Sequence, residues 1–184
     1  LRLERERGAE AGDLLGFEEG FGTSVALLGD MLAVGTPHED SCSTSVSGTA
    51  ATDNGCSTAG AVYVYTRSGT TWSFQAYVKA PNAEAGDHFG ISVALSNDGA
   101  MLAIGARGHS PPGTVQGGLA RVFVWNVNGY WDARGNVILG TADYDQAGVA
   151  VDLNADGTVL AVGDQLYGLN DPAHNERGRV IVYA

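Results

Sequence analysis

The chain has 184 residues, 44% of them hydrophobic, enough for one domain-sized core, and its 27 glycines without a collagen period favour many turns between short strands. Acidic residues outnumber basic ones 21 to 10, and the formal charge of −11 argues against a nucleic-acid partner, because phosphate binding rests on clustered Lys and Arg. No run of about 18 apolar residues occurs, so no membrane insertion by a helix is expected, and the acidic balance suits divalent cations outside a cell.

The opening LRLERERGAEAGD has neither an initiator Met nor a secretory leader and reads as the continuation of something longer. Residues 1–13 are expected to form the outer strand of a preceding unit and a connector. FGTSVALLGDMLAVG (21–35) then reads as two short strands about a turn at Leu28-Gly29-Asp30. A Ser/Thr/Gly/Ala-rich insertion (38–59) follows, holding Cys42 and Cys56 with no further Cys or His set around them. A loop closed by a disulfide is the simpler reading, which implies an oxidising compartment, and two unpaired thiols are the alternative. The Ser/Thr density could accept O-linked sugar, and no Asn-x-Ser/Thr acceptor occurs.

GAVYVY (60–65) supplies a third strand, with Val62 and Val64 alternating with Tyr63 and Tyr65, and a fourth begins at Trp72 after Ser68-Gly69. The same order returns. FGISVALSNDGAMLAIG (89–105), with its turn at Ser96 to Ala100, is followed by ARVFVW (120–125), the turn Asn128-Gly129 and a strand from Trp131. AGVAVDLNADGTVLAVG (147–163) and GRVIVY (178–183) form a third copy. Aligning Gly22, Gly90 and Gly148, and Tyr63, Phe123 and Ile181, gives a period of about 60 residues, one supersecondary unit per repeat. Each unit is expected to be a four-stranded antiparallel meander: blade 1 over 14–80, blade 2 over 81–140, and blade 3 over 141–184 without its outer strand. Small residues (Ala26, Ala33, Ala94, Ala103, Ala161) mark the first two strands and aromatic residues the outer ones. This gradient of tight inner and bulky outer packing favours radially arranged sheets, hence an all-β propeller segment over a flat sandwich.

Phe21-Gly22, Phe89-Gly90 and Ala147-Gly148, the Val-Gly or Ile-Gly ends at Gly35, Gly105 and Gly163, and the lead-in AEAGDHFG (83–90) with its echo AEAGD (9–13) resemble FG-GAP repeats, the blades of integrin α-subunit propellers. The resemblance extends over nearly the whole chain. It implies an extracellular or cell-surface β-propeller that binds a protein or carbohydrate ligand, and it implies a calcium loop in the first hairpin of a blade. Asp152, Asn154, Asp156 and Gly157 offer alternate oxygen donors of that kind, although Leu160 stands where a final Asp would be, and Asn-x-Asp-Gly is equally a good turn.

Other residues are read as structural. His38, His88, His109 and His174 fall in separate loops and are expected on the surface. Asp87, Asp143 and Asp145 are expected to cap turns. Ser24 and Ser92 lack a paired base, and Trp72, Trp125 and Trp131 are expected to fill gaps between blades, an exposed one being able to stack on sugar. No active site is found. Asp152 stands where Ala26 and Ala94 stand, which suits a terminal blade with one open face or the cation site. The functional expectation is a non-enzymatic binding or adhesion scaffold, with ligand-reading loops such as 108–118. The alternatives are a fibre subunit in which copies join head to tail by donating strand 1–13, and an accessory region of a secreted hydrolase.

Overall fold

Residues that alternate apolar and small side chains with period two form strands on both sides of each expected turn. The computed structural model describes residues 20–44, 53–168 and 177–184; the expected strand at 1–13, His174 and the middle of the Cys-containing insertion lie outside the described residues. Blade 1 is an antiparallel meander of β1 (Ser24–Leu28), β2 (Met31–Thr36), β3 (Ala61–Ser68) and β4 (Thr71–Val78). Blade 2 repeats it with β5 (Phe89–Leu95), β6 (Met101–Ala106), β7 (Leu119–Trp125) and β8 (Trp131–Leu139). Blade 3 contributes three strands, β9 (Ala147–Leu153), β10 (Leu160–Asp164) and β11 (Arg179–Tyr183). Among the described residues there is no helix, and the three sheets do not close a ring.

The cross-strand register corrects one alignment. Ala33 lies opposite Val64, Ala103 opposite Val122 and Ala161 opposite Val182. Tyr63 and Ile181 are therefore equivalent, but their counterpart in blade 2 is Arg121, and Phe123 corresponds to Tyr65 and Tyr183. An alternation of Val with aromatic residues looks the same after a slip of two, so the pattern alone left the register open.

Blades stack through opposite faces. The receiving face of blade 1 carries Ala33, Val62, Val64 and Val78, and onto it blade 2 sets an inserting face of Phe89, Leu102, Ile104, Phe123 and Trp131, all nearly or wholly buried. The next seam repeats the scheme with smaller groups: Ala94, Ala103 and Ala120 receive Leu160 and Val162. Between sheets the packing concentrates where β5 meets β1 and β2, and where β9 meets β5 and β6; the outer strands add little. The sheets thus fan apart outward, as propeller blades do. Trp131 and Trp125 fill the first seam, with ring centroids 5.4 Å apart. Trp72 does not: it lies beneath the Arg67 guanidinium, 5.6 Å from the ring centroid.

Each seam is fastened by the same backbone device. The Ser24 hydroxyl donates to the Gly90 carbonyl and the Ser92 hydroxyl to the Gly148 carbonyl, both at 2.8 Å. These carbonyls sit so close that a Cβ on Gly35 would lie 2.0 Å from Gly90 O, and one on Gly105 would lie 1.8 Å from Gly148 O. Gly22, Gly90 and Gly148 have φ of 88°, 89° and 83°, a left-handed conformation that turns the carbonyl out of its own strand and favours glycine. The repeated glycines at the start of one strand and the end of the next are the two halves of one contact.

Candidate functional site

The connections β2–β3, β6–β7 and β10–β11 are topological equivalents and leave the same end of the blades, whereas the other end carries short hairpin turns. The long first connection is clipped by a disulfide between Cys42 and Cys56. Its base is held by Lys79, the only lysine in the chain, at the end of β4. The Lys79 ammonium is fully buried and donates to Glu39 Oε2 at 2.8 Å and to the Ser41 carbonyl at 2.7 Å, and the Tyr77 hydroxyl donates to Glu39 Oε1 at 2.7 Å. Burial, reinforced by the charge of Glu39, pushes the Tyr77 hydroxyl well above its ordinary range, so it remains a donor. Asp53 accepts from the Ser41 hydroxyl at 2.6 Å and from the Cys42 amide at 2.8 Å, which lowers its carboxyl pKa, the Ser41 bond contributing most. A buried, hydrogen-bonded ion pair thus fixes where the disulfide loop leaves the sheet. Composition hinted at it, since one lysine in an acidic chain at the end of an apolar strand is anomalous. Its partner could not be read from spacing.

Glu39 has a positional counterpart in blade 2. Gly60 N donates to Glu39 O and Gly118 N to His109 O, both at 2.8 Å. That counterpart is His109, which is buried, and this corrects its assignment to the surface. Its Nδ1 lies 3.0 Å from Asp87 Oδ1 and its Nε2 lies 3.3 Å from Asn82 Nδ2. Asp87 also accepts the Glu84 amide at 2.9 Å, the turn-capping role expected of it. Glu84, Asp87 and His109 each bring one ligand-type atom within 4.8 Å of the others. Asp143 accepts the Val115 amide at 2.8 Å, and Asp145 caps its turn by accepting from the Thr141 and Ala142 amides at 2.9 Å. In blade 3 Arg179 pairs with Asp164 and lies 3.8 Å from Asp145, with its guanidinium over the Tyr167 ring. Burial raises the Asp164 pKa in spite of that pairing. His38 and His88 meet edge to face across the first seam, ring centroids 5.4 Å apart. Burial, then the charges of Arg107 and His38, lower the His88 pKa.

The expected calcium residues lie at the other end. Asp152 is exposed on β9, and its Oδ1 accepts the Leu153 amide at 2.9 Å. Asn154 Oδ1 accepts the Val159 amide at 2.8 Å, and Asp156 Oδ1 accepts the Thr158 hydroxyl at 2.6 Å and the Thr158 amide at 3.1 Å. Those two oxygens close the hairpin itself, and the Thr158 bonds lower the Asp156 pKa. Ser24 and Ser92, which the sequence left without a role, are the seam donors; the signal for them is a Ser two residues after each of the first two Phe-Gly pairs.

No curated protein matches the chain. Residues 72–123, from β4 of blade 1 to β7 of blade 2, match the FG-GAP repeat; the segment brings the Gly90 carbonyl to the first seam and Gly105, which receives the Gly148 carbonyl, to the second. The likeness to the FG-GAP repeat is therefore shown for this segment, within a chain folded as stacked antiparallel blades.

Proposed function

We propose that this chain is a non-enzymatic, extracellular binding scaffold, in which rigid blades hold ligand-reading loops at one end. The observation that carries the reading is the common exit of the three long connections, the first clipped by the Cys42–Cys56 disulfide and seated on the Lys79–Glu39 pair. Binding residues on loops held by a rigid scaffold are the usual division of labour in β folds. The disulfide supports an oxidising compartment. The ligand class is a protein or a glycan. The test is binding of the chain to immobilised extracellular-matrix proteins and a glycan panel, repeated after replacing 108–118 with a short Gly/Ser turn. Binding that the replacement removes supports the reading. Absence of any binder, or binding indifferent to the loop, overturns it. Calcium at Asp152, Asn154 and Asp156 belongs to the same proposal. Titration calorimetry with calcium on the unmutated chain and on Asp156→Ala checks it, and absence of heat in the unmutated chain removes calcium.

A further inference from the structure

Two seams in this molecule are built alike, and each needs a receiving face and an inserting face. Blade 3 presents a third receiving face. Gly163 keeps the glycine of Gly35 and Gly105, yet among the described residues no carbonyl of another blade reaches it, and the nearest atom to its absent Cβ is Ala150 Cβ on the adjacent strand at 3.5 Å. Val180 and Val182, counterparts of the buried Val62 and Val64, are 70% and 63% exposed. Blade 1 presents an inserting face that is open along β1, whereas Val34, Tyr63 and Tyr77 further out on the same face are buried. Gly22 has the left-handed φ of Gly90 and Gly148, and among the described residues nothing lies within 4 Å of its absent Cβ, where Gly90 meets Ala61 O and Gly148 meets Leu119 O. Beside it Val25 and Leu27 are 62% and 64% exposed.

We propose that these two faces pair between copies of this chain: blade 1 of one copy stacks on blade 3 of the next, the Gly22 carbonyl lodging against Gly163. The contact is heterologous, so it propagates head to tail and ends only if the rotation closes a ring. It is a stacking of faces, distinct from donation of a strand by residues 1–13. Two residues set its strength. Ala150 replaces the serine that donates to the glycine carbonyl in the other seams, and Asp152 places a carboxylate where Ala26 and Ala94 are packed. Covering an unpaired carboxylate is unfavourable, so the native contact is weak and concentration-dependent.

Sedimentation of the 184-residue chain from about 1 μM to about 1 mM, with calcium chelated, tests this. The expected result is association that grows with concentration and tightens by about tenfold or more in Asp152→Ala, which restores the residue of the other blades. Gly163→Ala and Leu27→Asp spoil one face each and are expected to be monomeric alone, with unchanged unfolding at low concentration. Mixed together they are expected to stop at a 1:1 complex, because one keeps only its inserting face and the other only its receiving face. A monomeric Asp152→Ala chain throughout the range, association of Gly163→Ala equal to that of the unmutated chain, or absence of the 1:1 complex overturns the proposal.

Discussion

Gly105 and Gly163 end the second strand of consecutive blades, within the sequences LAIG and LAVG, and the fold treats them differently. Gly105 is buried against the Gly148 carbonyl with no room for a methyl group, whereas a methyl group on the partly exposed Gly163 would make only ordinary contacts with Ala150 of its own blade. The residue is therefore demanded by the neighbour rather than by its own strand. The same contrast runs through the whole seam: Ala103 is fully buried and Ala161 is not, Ser92 donates across the seam and Ala150 has nothing to donate. A blade is a half-built object, completed by the face laid on it.

The largest effect expected of breaking this comparison is at Gly105. Gly105→Val forces the Gly148 carbonyl out of the seam, and a loss of about 4 kcal/mol or more is expected in denaturant unfolding. Gly163→Ala, at protein concentrations too low for association, is expected to stay within about 0.5 kcal/mol of the unmutated chain. Equal losses at the two glycines would mean that strand geometry, and not the seam, demands them. Leu102, fully buried on the inserting face of blade 2, comes next: Leu102→Ala is expected to cost about 3 kcal/mol, against a few tenths for Val182→Ala on the open face. The third step is the hydroxyl. Ser92→Ala leaves the Gly148 carbonyl without its donor and is expected to cost about 1 kcal/mol, read as a shift in the urea midpoint at constant slope.

What the sequence disclosed follows from the same physics. Strands and turns were legible because Ser24–Leu28, Phe89–Leu95 and Ala147–Leu153 repeat one local pattern, and local patterns are written in consecutive residues. The faces were legible only in part. Asp152 at the position of Ala26 and Ala94 marked an unusual last blade, yet the exchange between Ser24 and Gly90 spans 66 residues and leaves no trace at either end beyond a glycine and a serine. The burial of His109 and of Lys79 was hidden for a like reason: each is set by a partner on another element, Asp87 or Glu39, and spacing along the chain does not report it. The slip at Phe123 shows the limit of period two, which fixes a face without fixing a register.

The smallest effect distinguishes the first seam from the second by pH. His88 sits where β5 enters blade 2, its amide donating to Thr58 O of blade 1 at 3.0 Å, and its ring is held half-buried beside His38 and Arg107 with Asp87 adjacent. Its folded-state pKa lies below the ordinary 6.5, so the unfolded chain takes up the proton first as pH falls. The stabilising difference is complete above pH 6.5 and is lost as pH drops through the lowered value. Blade 3 has no His at the equivalent Gln146, so the second seam lacks this dependence. Backbone amide exchange is therefore expected to quicken at β5 relative to β9 between pH 7.5 and pH 5.5, after correction for intrinsic rates. His88→Asn, chosen because φ of 56° at this position is one that Asn tolerates, is expected to abolish that difference. If β5 and β9 lose protection together in both proteins, acid acts on the stack as a whole, and the first seam owes nothing to the neutral ring of His88.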